Sequence, residues 1–116
     1  MPKTIFVSFL RSPVGSVFFV EGLRVAGGLV RAEDHHRVTV AFLGKGARCA
    51  TKGVDRSYAV KFLDIFPATA GKKFYVEEES LTAEGIDRAQ LADEFAVATR
   101  SELAQMMANS DICISF

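Results

Sequence analysis

Five short runs of β-favouring apolar residues punctuate the chain: KTIFVSFL at 3–10, RVTVAFL at 37–43, KFYV at 73–76, EFAVA at 94–98 and ICISF at 112–116. Between them lie segments with helical spacing or turn formers, and no Asn-Gly or Asp-Gly dipeptide joins two runs as a hairpin. Strands that are not hairpin partners need crossovers of a dozen or more residues, which makes neighbouring strands parallel. The alternation therefore predicts βαβ units: one three-layer α/β/α domain with a mostly parallel five-stranded sheet covered on both faces.

The linking segments carry their own punctuation. Arg11, Ser12, Pro13, Val14, Gly15 and Ser16 form a turn cluster after the first run. Phe19, Leu23, Ala26 and Val30 then follow helical spacing, with Glu21, Arg24 and Arg31 off that stripe. Gly22, Gly27 and Gly28 lower the helix propensity, a cost usually offset by close packing on a neighbouring backbone. A second helix is expected from Asp55 as N-cap through Ala59, Phe62, Leu63 and Phe66, ended by Pro67 and Gly71. Asp87 with Gln90, and Thr99 with Glu102, have capping-box spacing; the second pair opens a helix through Leu103, Met106 and Met107. Ligands of parallel sheets bind beyond the carboxyl ends of the strands, here residues 11–16, 44–49, 77–80 and 99–101.

At 116 residues the chain fits one domain, 1–116, with a single core. Fourteen Lys plus Arg balance fourteen Asp plus Glu, so the basic footprint of a nucleic-acid binder is missing. A hydrophobic fraction of 49% with ten phenylalanines favours association as a way to hide apolar surface. No apolar run is long enough to span a membrane, and residues 5–10 are too short for a signal-peptide core, which places the protein in the cytoplasm as an expectation. Cys49 and Cys113 form no CxxC and have no ligand neighbours at metal spacing, so no disulfide framework, zinc site or cofactor is indicated. Cys113, between Ile112 and Ile114, reads as a small core residue. His35 and His36 read as a polar loop at the opposite rim.

Several rim residues admit two readings. Cys49 is the one thiol expected on the rim, and Lys45, Arg48 and Lys52 would favour its thiolate as a nucleophile; the alternative is an ordinary cysteine in a basic loop. Glu77, Glu78 and Glu79 would supply a general acid or base if crowding raised one pKa, but successive strand residues point to opposite faces, and a solvated acidic turn is the commoner case. Gly44, Lys45 and Gly46 are not a P-loop, since Thr39 stands at its first glycine and Gly46 at its Ser/Thr. Arg11, Ser12 and Ser16 beside a helix N-terminus would hold a small anion; alternatively Ser12 or Ser16 caps the helix while Pro13 and Gly15 shape the turn.

The ordered series SPVGS at 12–16, EGL at 21–23, AFLGKGA at 41–47, YAVKFLDIF at 58–66, ESLTAEGID at 79–87 and SDICISF at 110–116 resembles the DsrE/DsrF-like family of small sulfur-relay proteins, most closely its DsrF or TusC type. The resemblance implies a compact α/β/α domain that assembles into dimers, trimers or hetero-hexamers, with cysteine persulfide transfer in the competent subunits. Their reactive cysteine follows the third strand, and aligning Val76, Ser80, Leu81 and Gly85 puts Glu77 there. A carboxylate cannot carry a sulfane sulfur. The resemblance thus implies a non-catalytic or divergent subunit, in a homo-oligomer or a hetero-oligomer with related subunits, with a sulfur-carrier protein as partner. Two alternatives stand beside it. One is a homo-oligomer binding a small anion or metabolite along a rim of Arg11, Ser12, Gly15, Ser16, Gly44, Lys45, Gly46, Glu77, Thr99 and Arg100. The other is a divergent sulfurtransferase using Cys49.

Overall fold

A computed structural model describes residues 2–13, 17–54 and 66–116. Its strands are β1 (Thr4–Phe9), β2 (Arg37–Phe42), β3 (Phe74–Glu77), β4 (Phe95–Ala98) and β5 (Ile112–Ser115). Its α-helices are α1 (Phe18–Arg31), α2 (Glu78–Ala83) and α3 (Arg100–Ala108), with 3-10 turns at Gly44–Ala50 and Arg88–Gln90. The helix expected from Asp55 falls outside the described residues except for Phe66.

Every strand pairing is parallel, in the order β4-β3-β2-β1-β5. The chain steps from β1 to β4 in one direction and then returns past β1 to place β5. Right-handed crossovers put connections of opposite direction on opposite faces. Accordingly Ile5, Val7, Phe9, Val40, Phe42 and Phe74 pack with Phe19 and Leu23 of α1 and Leu81 of α2 on one face. On the other, Phe6, Ala41 and Ala98 lie under Leu103 of α3. Phe42 is the hub of the larger core, its ring 4.7 Å from Phe9, 5.4 Å from Phe95 and 5.9 Å from Phe74. The five strands and the three-layer class agree with the sequence reading.

Helix ends follow local chemistry. The Thr99 hydroxyl accepts from the Glu102 amide while Glu102 accepts from the Thr99 amide, closing the expected capping box of α3. Asp87 and Gln90 close another, on a single 3-10 turn. Helix α1 begins after Val17 with no side-chain cap, so the N-cap role considered for Ser12 is not realised. Ser16, its alternative, lies outside the described residues, as does Gly15.

Register brings the carboxyl ends level: Phe9 pairs with Phe42, Phe42 with Val76, and Glu77 with Ala98. Gly44 then turns the chain with φ of 56°. Gly46 lies so close under β1 that a Cβ there would sit 2.0 Å from the Phe9 carbonyl oxygen. These two glycines let the segment after β2 fold back over the end of β1 as a 3-10 turn, where a loop was expected.

Candidate functional site at the carboxyl end of the sheet

The last residue of β3, Glu77, is the charged side chain buried deepest among the described residues, with 4% of it exposed. Its burial is made tolerable by three donor atoms from two side chains. The Arg100 guanidinium, from the first residue of α3, donates through Nε to Oε2 and through Nη2 to Oε1, each at 3.2 Å. The Ser80 hydroxyl, one turn into α2, donates to Oε1. Ser80 itself accepts from the Gly44 amide at 2.7 Å, and Glu79 accepts from the Arg100 amide at 2.8 Å. One network thus ties the ends of β2, β3 and β4.

Burial alone pushes the Glu77 carboxyl up; the hydrogen bonds of Arg100 and Ser80, with the Arg100 charge, outweigh it and hold the group below its ordinary value. The same hydrogen bonds and the Glu77 charge hold Arg100 above its own. Glu77 is therefore an ionised, fully engaged acceptor, unsuited to proton transfer near neutrality. Arg100 keeps 67% of its side chain exposed, so the network is dry at the carboxylate and wet at the guanidinium. The acidic turn read from Glu77, Glu78 and Glu79 is corrected: Glu77 ends a strand inside the protein, and the other two open α2.

The family can now be stated, because residues 6–116 of the chain match the DsrE/DsrF-like family model. The chain belongs to that family. Its fold matches that of the ychN protein from E. coli, with a TM-score of 0.79 and 22% identity over 100% of both chains. It also matches MTH1491, a protein of unknown function from Methanobacterium thermoautotrophicum, with a TM-score of 0.69 and 15% identity over 97% of this chain and 99% of that one. At such identities the likeness is one of fold. No curated protein matches the chain significantly.

On this DsrE/DsrF-like frame the expected rim divides. Gly44, Glu77, Thr99 and Arg100 converge in or beside the network. Arg11 instead stacks over the Phe18 ring, 3.9 Å from its centroid. Ser12 lines a separate cavity of about 350 Å³ with Arg48, Thr51, Glu84 and Gln90. Lys45 is exposed and Gly46 is buried. Both thiols are placed contrary to expectation. Cys49, read as the rim thiol, is fully buried on the inner side of the 3-10 turn that carries it, its Sγ 3.7 Å from the Arg11 carbonyl oxygen. Cys113, read as core, is exposed on β5. The role of Ser80 as the bridge between Gly44 and Glu77 escaped sequence reading; its spacing of three from Glu77 was the available signal.

Proposed function

We propose that this DsrE/DsrF-like protein acts in cytoplasmic sulfur relay as a non-catalytic subunit of an oligomer, contributing assembly and docking of a sulfur carrier in place of persulfide chemistry. The observation that carries the reading is the Glu77 network at the position where the family resemblance puts the reactive thiol. In persulfide formation a thiolate attacks a sulfane sulfur, forms an S–S bond and expels a shortened polysulfide or a donor thiolate. A carboxylate forms no such bond, and Arg100 and Ser80 occupy both Glu77 oxygens. Burial of Cys49 argues against a relocated nucleophile, because attack needs an accessible thiolate. The same network argues against a free-anion site at Arg100, whose guanidinium already holds a carboxylate.

The test is intact-protein mass spectrometry after brief exposure to polysulfide, followed by an acceptor thiol. Wild type is expected to keep no sulfur increment that it passes on. In Glu77→Cys the shorter side chain vacates the space of the carboxylate and opens it toward the exposed Arg100 guanidinium, so the variant is expected to gain a transferable increment. Transfer from wild type that disappears in Cys49→Ser would overturn the reading and assign catalysis to Cys49.

A further inference from the structure

The arginine–glutamate contacts of this protein are not alike. Arg100 and Glu77 meet fork to fork, with both carboxylate oxygens engaged. Arg88 and Glu78 touch at one point and are well exposed, at 65% and 43% of the side chain, so water serves both. Arg48 and Glu84 also touch at one point, Nε donating to Oε1 at 2.6 Å, but only 15% of the Glu84 side chain is exposed, against 57% for Arg48. Among the described residues neither side chain has another partner, so both Nη groups of Arg48 and Oε2 of Glu84 keep their hydrogen-bonding capacity. A carboxylate largely withdrawn from bulk water, with one oxygen unused by the protein, faces whatever fills the space beside it.

That space is the open cavity of about 350 Å³ that Ser12, Thr51 and Gln90 also line. The connections that follow β1, β2 and β3 all contribute to it, beyond the carboxyl ends where parallel sheets take ligands. Backbone bonds hold its walls. The Lys52 amide donates to the Gln90 carbonyl oxygen at 2.8 Å and the Ala92 amide to that of Ala50 at 2.9 Å, which clamps Thr51 to the segment carrying Gln90. Just past Glu84 the chain turns at Gly85, whose amide returns to the Thr82 carbonyl oxygen at 3.2 Å while the Ile86 amide returns to that of Leu81 at 2.9 Å. Oε1 of Gln90 accepts from the Asp87 amide at 2.8 Å, which leaves Nε2 as a donor. Pro13, Val54 and Ile86 complete the lining with apolar surface.

We infer that this cavity binds a small zwitterion of the α-amino-acid type. Its carboxylate is held by the Arg48 Nη groups and Gln90 Nε2, its ammonium by Glu84 Oε2, and its side chain by Pro13, Val54 and Ile86. The signs of the lining decide the class. A simple anion on Arg48 would sit against the Glu84 carboxylate, and a simple cation on Glu84 against the Arg48 guanidinium, each repelled at close range. An apolar ligand would strip water from both charges and return no hydrogen bond. A ligand with both charges around one carbon meets the two side chains as they stand. The volume agrees, lying at the lower end of the range for small-molecule sites. The site is separate from the Glu77 network and does not rest on the sulfur-relay reading.

The test begins with melting curves of the purified chain in the presence of each standard L-amino acid, followed by calorimetric titration of the best binder and two of its analogues. At about 10 mM, at least one amino acid with an apolar or thioether side chain is expected to raise the melting temperature by about 5 °C. Its amide, which lacks the carboxylate, and its deaminated acid, which lacks the ammonium, should each bind at least about tenfold more weakly, since each loses a charge-assisted hydrogen bond. Arg48→Gln and Glu84→Gln should each weaken binding by a similar factor, with an unchanged circular dichroism spectrum in the absence of amino acid, because a largely exposed ion pair adds little to folding. The analogues report on wild type and so do not depend on how the variants fold. Melting indifferent to every amino acid, a deaminated acid that binds as tightly as its parent, or affinity untouched by both variants overturns the assignment.

Discussion

The carboxyl end of β3 and the outer edge of β5 invert the usual arrangement of a small domain. One buries a charge, and the other exposes an apolar strand. At Glu77 each oxygen meets a donor, so the desolvated carboxylate is held without an unmet acceptor. At β5, Ile112 is exposed beside Val25 of α1, and the strand itself carries no charge. The contrast teaches that polar content at a site does not by itself mark reactivity: the polar end is closed on itself, while the apolar edge stays open.

The largest effect that would break this contrast comes from its floor. In Gly46→Ala the new methyl has no room, 2.0 Å from a backbone oxygen that does not move independently of β1. Urea unfolding should show a loss of about 3 kcal/mol or more. A loss below about 1 kcal/mol would mean that the segment after β2 is not pinned over Phe9 and that the closed end is loose. Next comes Ser80→Ala, which removes a donor from Glu77 and the acceptor of the Gly44 amide together. The expected cost is about 1–3 kcal/mol, since Ser80 is buried and no water readily replaces its hydroxyl. A neutral result would sharpen the contrast differently, leaving Arg100 as the sole support of Glu77.

What the sequence disclosed divides by the range of the interactions involved. Strand runs, α1, the two capping boxes and the parallel class were legible because they rest on periodicity and on side chains within four residues of one another. Helix α2 was missed because the adjacent Glu77, Glu78 and Glu79 read as a solvated turn, and only the Arg100 contact, 23 residues away, makes the burial of Glu77 acceptable. The thiols were misplaced for a related reason. Cys49 lies in a basic stretch that looks exposed, yet Gly46 seats that stretch against the end of β1; Cys113 has apolar neighbours, yet its strand is an edge. Strand order sets both outcomes, and nothing in the local pattern states it. Within the candidate site, Glu77 and Arg100 were each placed on the rim, but their pairing depends on Glu77 and Ala98 being in register.

The smallest of the three effects tests whether the Glu77 end is electrostatic or merely packed. Glu77→Gln keeps the shape of the side chain and an acceptor for Ser80 while removing the charge that Arg100 holds. The folded carboxyl lies below its ordinary value of 4.5, so its charged form is favoured in the folded state. Stability from such a group is fully present above the unfolded value and is lost as pH falls through the folded one. Wild type should therefore melt about 3–5 °C above Glu77→Gln at pH 7, and the gap should close as the pH is lowered below 4.5, the ordinary carboxyl value, and through the lower folded one. Glu102, held low by the Thr99 amide and hydroxyl, adds an acid-sensitive contribution common to both proteins, which cancels in the comparison. If the gap is the same at neutral and acid pH, the network stabilises by fit alone, and the separation drawn here between a charged, closed end and an apolar, open edge loses its electrostatic half.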